Sequence, residues 1–377
     1  MSSRGIRLGS LFGIPIQASF SWIFIVALLT VALSAQYGRD FPYLGAGTRL
    51  SLGLSAALML FGSVLAHELS HAVVALRHRM RIRAITLFLF GGAAEMIDEP
   101  PSPAAELKVA VAGPVMSVAL AASFGTMYYW SLGTLPAPFT SILSWLAIAN
   151  GILAAFNVVP GFPLDGGRVL RAILWGIWGR LAPATRVASG LGAFFGSMMI
   201  FFGLYRLFVL DGSSGRLDGI WLILIGFFLR GAARSSYQQI LVRKELEGLC
   251  ARDLMSTDVV AVPSYMSVAD IVDDLVLGKG LTEVLVLEGE QLAGVLRLED
   301  IRGRDKSAWV RLTAEDLLRR DVVEGAVSPD DDVFRILSQL DEGDHLLPVV
   351  ESGKVVGVLT RKDVTRKLNL RMELRNS

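Results

Sequence analysis

Long apolar runs, separated by short basic or turn-rich segments, fill roughly the first 235 residues, and shorter apolar stretches with ordinary polar content fill the rest. Six runs read as membrane-spanning helices: residues 18–35, 51–76, 105–132, 141–159, 187–210 and 217–233. About 20 apolar residues match the ~30 Å hydrocarbon core of a bilayer, and the sixth run sits at the lower limit of that length. One apolar stretch does not fit the pattern. Residues 84–96, AITLFLFGGAAEM, are too short to span as a helix. Thr86, Phe88 and Phe90 ahead of Gly91-Gly92 predict extended structure ending in a turn. An unpaired edge over 84–92 would accept a peptide as an added strand. A buried hairpin closing a site is the alternative, and the two are compatible.

Beyond Arg234 the pattern repeats itself. Asp253-Leu254 recurs as Asp316-Leu317, Asp258-Val259-Val260 as Asp321-Val322-Val323, Gly294-Val295-Leu296 as Gly357-Val358-Leu359, and Asp300 as Asp363, a gapless offset of 63 residues. Each copy predicts a strand, an amphipathic helix, two short apolar strands and a final helix. The two copies should pack as a pseudo-symmetric pair, each burying the other's apolar face. The expected fold is a polytopic α-helical membrane protein, with about six transmembrane helices and a short membrane-associated β region, followed by an α+β repeat pair. The expected boundaries are 1–235 for the membrane domain, 236–249 for a linker and 250–377 for the pair, with copies at about 250–306 and 313–370.

Composition supports that division. Hydrophobic residues make up 53% of the chain, charged residues 19%, and mean hydropathy is +0.52, values of a protein at least partly in a membrane. A net charge of +1 gives no reason to expect a nucleic-acid partner. The single cysteine, Cys250, excludes an intrachain disulfide and a Cys-rich zinc site. The first apolar run lacks a small-residue cleavage site and reads as a retained anchor. With six spans, Arg4 and Arg7, the Arg77–Arg83 cluster, Arg168, Arg171 and Arg180, and Arg234, Arg243 and Lys244 all fall on one side. The excess of Lys and Arg predicts that this side, with both termini and the repeat pair, is cytoplasmic in a multi-pass cell-membrane protein.

The chemistry lies in the second span. His67-Glu68-x-x-His71 places two imidazoles on one helix face, where they can hold one metal, with Glu68 beside them as a base for water. Glu68 is the only acidic or basic residue in 51–76 besides the two histidines. Polar groups inside a membrane helix are costly and mark a functional site. The alternative is that His67 and His71 satisfy each other's hydrogen bonds in a packed bundle. The fourth span ends in Asn157-Val158-Val159-Pro160-Gly161-Phe162-Pro163-Leu164-Asp165-Gly166-Gly167, which breaks any helix. Irregular backbone at membrane depth must be buried in protein or line a cavity. Asp165 in that break is the natural third ligand, leaving a fourth position for water. Its alternative role is to cap the helix that follows. His78, inside the basic cluster, reads as an interfacial residue with no metal role.

The paired motifs, His67-Glu68-x-x-His71 and Asn157-x-x-Pro160-x-x-Pro163-Leu164-Asp165-Gly166-Gly167, resemble the site-2 protease family of intramembrane zinc metalloproteases over about residues 1–235. The repeat resembles a tandem pair of cystathionine-β-synthase (CBS) domains over about 250–370. The resemblance implies one zinc on His67, His71 and Asp165, Glu68 as general base, Asn157 near the substrate or oxyanion, and Gly91 and Gly92 in a substrate-side strand. It implies cleavage within membrane-spanning protein substrates. After the Ala112-Gly113-Pro114 motif, this chain has Ser117 where the family often has Asn. CBS pairs often bind ATP, ADP or AMP, and Thr360 with Asp363 fits their ribose-holding pattern; Arg297 with Asp300 in the first copy lacks the hydroxyl. A ligand-free pair serving a homodimer is the other reading of that module. Two rival functions remain open at this stage: a CBS-gated transporter or channel, with His, Glu and Asp forming an ion path, and an inactive scaffold that senses nucleotide.

Overall fold

The computed structural model describes residues 5–89, 91–209, 213–246, 248–278, 280–320, 323, 325–342 and 346–376. The chain divides into two compact units, Met1–Ile240 and Leu241–Ser377.

The first unit contains helices α1 (Phe20–Asp40), α2 (Ala46–Arg77), α3 (Pro103–Ser131), α4 (Ala137–Asn157), α5 (Asp165–Trp178), α6 (Leu181–Phe208) and most of α7 (Ser213–Leu246). Among the described residues, α1, α2, α3, α4 and α6 are long and apolar enough to cross a bilayer. The sixth expected span, 217–233, lies inside α7, which is not one of these five; Asp218 and Arg230 bracket its apolar run. Yet α7 joins α6 as helices join in lipid, through small residues that let backbones meet. A Cβ added at Gly196 would lie 2.7 Å from the Gly226 carbonyl oxygen, and one at Gly203 would lie 2.6 Å from that of Gly219. Of the expected connection between them, Asp211 and Gly212 lie outside the described residues, and α7 has begun by Ser213.

Strands β1 (Ile6–Leu11), β2 (Ile14–Ala18), β3 (Ile82–Phe88) and β4 (Gly91–Met96) form one sheet in the order β1-β2-β3-β4. The expected extended stretch is the hairpin β3–β4. Its turn precedes the two glycines instead of falling on them, and Phe90 lies outside the described residues. The hairpin β1–β2 was not expected. Ile14, Ile16 and Ala18 are buried and alternate with partly exposed neighbours, the period-two pattern of a strand. β2 pairs in parallel with β3, Ile16 opposite Ile85, and Ile14, Ile85 and Ala72 of α2 pack into one cluster. Because β3 is paired on both sides, the edge nearest the motif helix is β4, 91–96, and not 84–92.

The second unit holds β5 (Ala261–Pro263), β6 (Glu283–Glu288), β7 (Gln291–Arg297), β8 (Leu346–Glu351) and β9 (Lys354–Thr360), in the order β5-β6-β7-β9-β8. The sequence repeat reappears as register. Val284 opposes Leu296 in one hairpin and Leu347 opposes Leu359 in the other, and the irregularity at Val286/Leu287 recurs at Val349/Val350. The copies also clasp each other reciprocally, Ser256 bridging to Val358 and Arg319 to Val295. Of the expected repeat positions, Asp321 and Val322 lie outside the described residues. The expected linker 236–249 is helical as far as Leu246, which is buried in the core of this unit.

Candidate active site

His67 and His71 stand one turn apart near the C-terminal end of α2, ten and six residues before Arg77. Ten residues of helix place His67 roughly 15 Å from that basic end. The two Nε2 atoms are 3.2 Å apart. Asp165 Oδ2 lies 3.1 Å from His67 Nε2 and 3.2 Å from His71 Nε2. All three side chains are buried. Leu164 occupies the N-cap of α5, so Asp165 is the first helical residue and its carboxylate turns to the imidazoles instead of capping the helix.

The far nitrogens are occupied too. His71 Nδ1–H donates to the Val109 carbonyl at 2.6 Å, and His67 Nδ1 lies 2.8 Å from Ser117 Oγ. A carbonyl only accepts, so a neutral His71 carries its proton on Nδ1 and offers the Nε2 lone pair. Val109, Gly113 and Ser117 share one face of α3. A Cβ at Gly113 would lie 2.2 Å from His71 Nε2 and 2.5 Å from His67 Nε2. The gap beside both nitrogens therefore exists because position 113 has no side chain.

These residues fit a zinc ion. Two imidazole nitrogens and a carboxylate oxygen lie within 4.8 Å of one another. They are the N and O donors zinc takes in catalytic sites that leave one position open. Hydrogen bonds on the far side of ligating imidazoles are a common feature of such sites.

Glu68, Asn157, Gly91 and Gly92 line the same cavity as the three donors, a space of about 900 Å³ whose walls are otherwise mostly apolar, including Ile25, Trp145 and Phe228. Gly92 lies directly against Glu68: a Cβ there would be 2.6 Å from Glu68 Cγ. Asn157 closes α4 at the start of the break. Position 117, Ser here where the family often has Asn, has a defined contact, the one to His67. Sequence reasoning missed Arg168, one turn after Asp165 and in the cavity wall. It also missed Asn150, which is fully buried on α4 and donates to Ser63 Oγ at 3.2 Å, one turn before His67. A polar residue at a helix-facing position of an apolar span was the available signal.

In the second unit, Thr360 Oγ1 donates to Asp363 Oδ2 at 2.5 Å and accepts from the Asp363 main-chain nitrogen at 3.2 Å, at the start of the helix Arg361–Asn376. The first copy is different. Arg297 pairs with Glu283 at 3.2 Å, and Asp300 receives Arg319 through Nε and Nη2 at 3.0 and 2.8 Å.

The profile of peptidase family M50 matches residues 55–137 and 132–202. A Synechocystis protein assigned by name to the zinc metalloproteases is 37% identical over 374 residues, covering 97% of this chain and 96% of that protein. The chain belongs to peptidase family M50, the site-2 proteases. Rip3 of Mycobacterium tuberculosis, assigned by name to the same class, is 32% identical over 97% of this chain and 93% of its own. A solved site-2 protease of Methanocaldococcus jannaschii matches at 29% identity with a TM-score of 0.45, over 62% of this chain and 95% of that one. The CBS-domain profile matches 251–306 and 314–370, so the repeat is a tandem CBS pair. This M50 member is thus a multi-pass membrane metalloprotease with a CBS pair, and the matches do not favour the transporter or channel alternative.

Proposed function

We propose that His67, His71 and Asp165 hold the zinc and that Glu68 is the general base for hydrolysis of peptide bonds in or near transmembrane segments of membrane-protein substrates. The observation that carries this reading is the convergence of the three donors beside Glu68 in one buried, mostly apolar cavity. Held by these residues, a zinc ion would supply Lewis acidity and would lower the pKa of water toward neutrality. Glu68 takes a proton from the attacking water and delivers it to the leaving amine. Asn157 donates to the oxyanion as charge develops. A helical substrate hides its amides, so it must unwind. β4, an edge strand that begins at Gly91, offers the unwound segment replacement hydrogen bonds, with Gly92 leaving room beside Glu68.

The Lys/Arg bias supports placing both termini and the CBS pair in the cytoplasm. Thr360 and Asp363 would hold the ribose of an adenine nucleotide, and the pair would serve as a homodimer contact. The deciding experiment compares wild type with Glu68→Gln and Asp165→Ala on a membrane-peptide substrate, with metal analysis of each. Glu68→Gln keeps zinc and loses cleavage by a factor of ~10²–10⁴, and Asp165→Ala loses both. Retained cleavage in Glu68→Gln refutes the assignment.

A further inference from the structure

The face of α3 that meets the imidazoles also carries Glu106, two turns before Gly113 and 0% exposed. Its Oε1 accepts from Arg171 Nε at 2.6 Å and from the Nη2 of the same guanidinium. Its Oε2 is buried with no hydrogen-bond partner among the described residues. The Arg171 side chain is only 11% exposed, and its guanidinium carbon stands 4.9 Å over the ring of Phe162, in the turn leading into Asp165. One arginine therefore ties α3, its own helix α5 and the segment that feeds the carboxylate donor.

The spacings correspond. Seven residues from Glu106 to Gly113 rise about 10.5 Å, and six from Asp165 to Arg171 rise about 9 Å. The helices run antiparallel: Pro103 faces Gly176, where an added Cβ would lie 3.7 Å from the Pro103 Cβ, Glu106 faces Arg171, and Gly113 faces the imidazoles that Asp165 meets. A helix held at Glu106–Arg171 presents its first residue at the level of Gly113. Burying an ion pair adds little stability compared with apolar packing of the same volume. What a directional pair adds that apolar side chains lack is a fixed axial register between α3 and α5.

We propose that the Glu106–Arg171 pair is a positioning device that sets Asp165 against His67 and His71, and that zinc affinity depends on it. Among the described residues neither side chain hydrogen-bonds the three donors, so neither is a catalytic residue. The proposal rests on the metal-centre assignment above. Its test is chelator-competition titration of zinc on the purified full chain in detergent, with helix content and thermal midpoint measured alongside. The variants are Arg171→Lys, which keeps charge but not the forked donor, and the double variant Glu106→Leu/Arg171→Met, which replaces the pair by apolar volume.

Both variants are expected to fold and to bind zinc about tenfold or more weakly, in the range seen when outer-shell partners are removed. Cleavage should recover at saturating zinc. Wild-type zinc affinity in a folded double variant overturns the proposal. If the double variant does not fold, Arg171→Lys decides: unchanged affinity at an unchanged thermal midpoint overturns it equally. His67→Ala runs in parallel. Zinc retained there removes the metal centre itself and the proposal with it, a failure separable from a null result in the Glu106–Arg171 variants.

Discussion

Position 113 pits two physical effects against each other. In a helix interior, Gly→Ala normally gains about 1 kcal/mol of helix propensity. Here the added methyl would lie 2.2 and 2.5 Å from the two Nε2 atoms. Gly113→Ala should therefore lower the thermal midpoint despite the propensity gain, because the imidazoles held at Val109 and Ser117 must move, and should take zinc content to background, as unfolding and metal analysis together would show. Ser117→Ala acts more gently, removing the partner of His67 Nδ1. Zinc affinity should fall ~10–100-fold, and Ser117→Asn should preserve it. The histidine spacing and the Asp in the helix break were legible in the sequence because both are local. The Ser117 and Val109 contacts were not, because they depend on which face of α3 turns to α2, and spacing along one helix does not specify its neighbour.

At the scale of elements, helix length and apolar content reveal a span, so five spans were readable from composition alone. The β1–β2 hairpin was not. Its link to the sheet is a parallel pairing of Ile16 with Ile85, with two long helices between them in sequence. A six-residue strand interrupted by Gly9 and a five-residue strand just after the turn at Phe12-Gly13 give little periodicity to read. The sixth span was expected from its apolar run, and its attachment rests on glycine contacts that the sequence only hints at. Gly203→Leu should drive a side chain into the Gly219 carbonyl and Ile223, and cost about 1–3 kcal/mol as an overpacked interface does. Gly151→Leu, where an added Cβ meets nothing within 4 Å among the described residues, should cost little. Detergent unfolding of the two variants side by side measures the difference; equal midpoints would mean that α6 and α7 do not depend on this contact.

Across the whole molecule, the most legible feature was the offset of 63, since a repeat announces its own symmetry. Its asymmetry became readable only in structure. Ser256 and Arg319 occupy equivalent places, bridging to Val358 and Val295. Arg319 is long enough to reach the carboxylate of the first copy, and Ser256 is too short to do the same in the second. Arg319 hydrogen bonding holds the Asp300 carboxyl below the ordinary carboxylate value. A depressed folded-state value means that the pair's contribution is present above the unfolded carboxyl's titration range and disappears as pH falls through the folded value. Arg319→Gln should therefore lower stability near neutral pH by under about 1 kcal/mol, the guanidinium being 40% exposed, and should remove this acid-dependent component.

The same asymmetry sets the expected nucleotide count. In the first copy, Asp300 is engaged by two nitrogens of Arg319, and Arg297 stands where the second copy has a hydroxyl. In the second copy, Asp363 meets Thr360 and Arg366 Nη2, and the short Thr-Asp pair is the one proposed above to hold a ribose. Calorimetric titration with AMP, ADP and ATP should give one site per chain, lost in Asp363→Ala and kept in Asp300→Ala. Two sites, or binding that survives Asp363→Ala, would contradict the asymmetry argument. Binding alone would not make the CBS pair a regulator. A nucleotide shifts the protease only if it binds two states of the chain with different affinity. Where it does, cleavage of a membrane peptide changes between zero and saturating nucleotide in the wild type and stays constant in Asp363→Ala. An unchanged wild-type rate would leave the CBS pair without a regulatory role, and a rate change that persists in Asp363→Ala would place the control at another site.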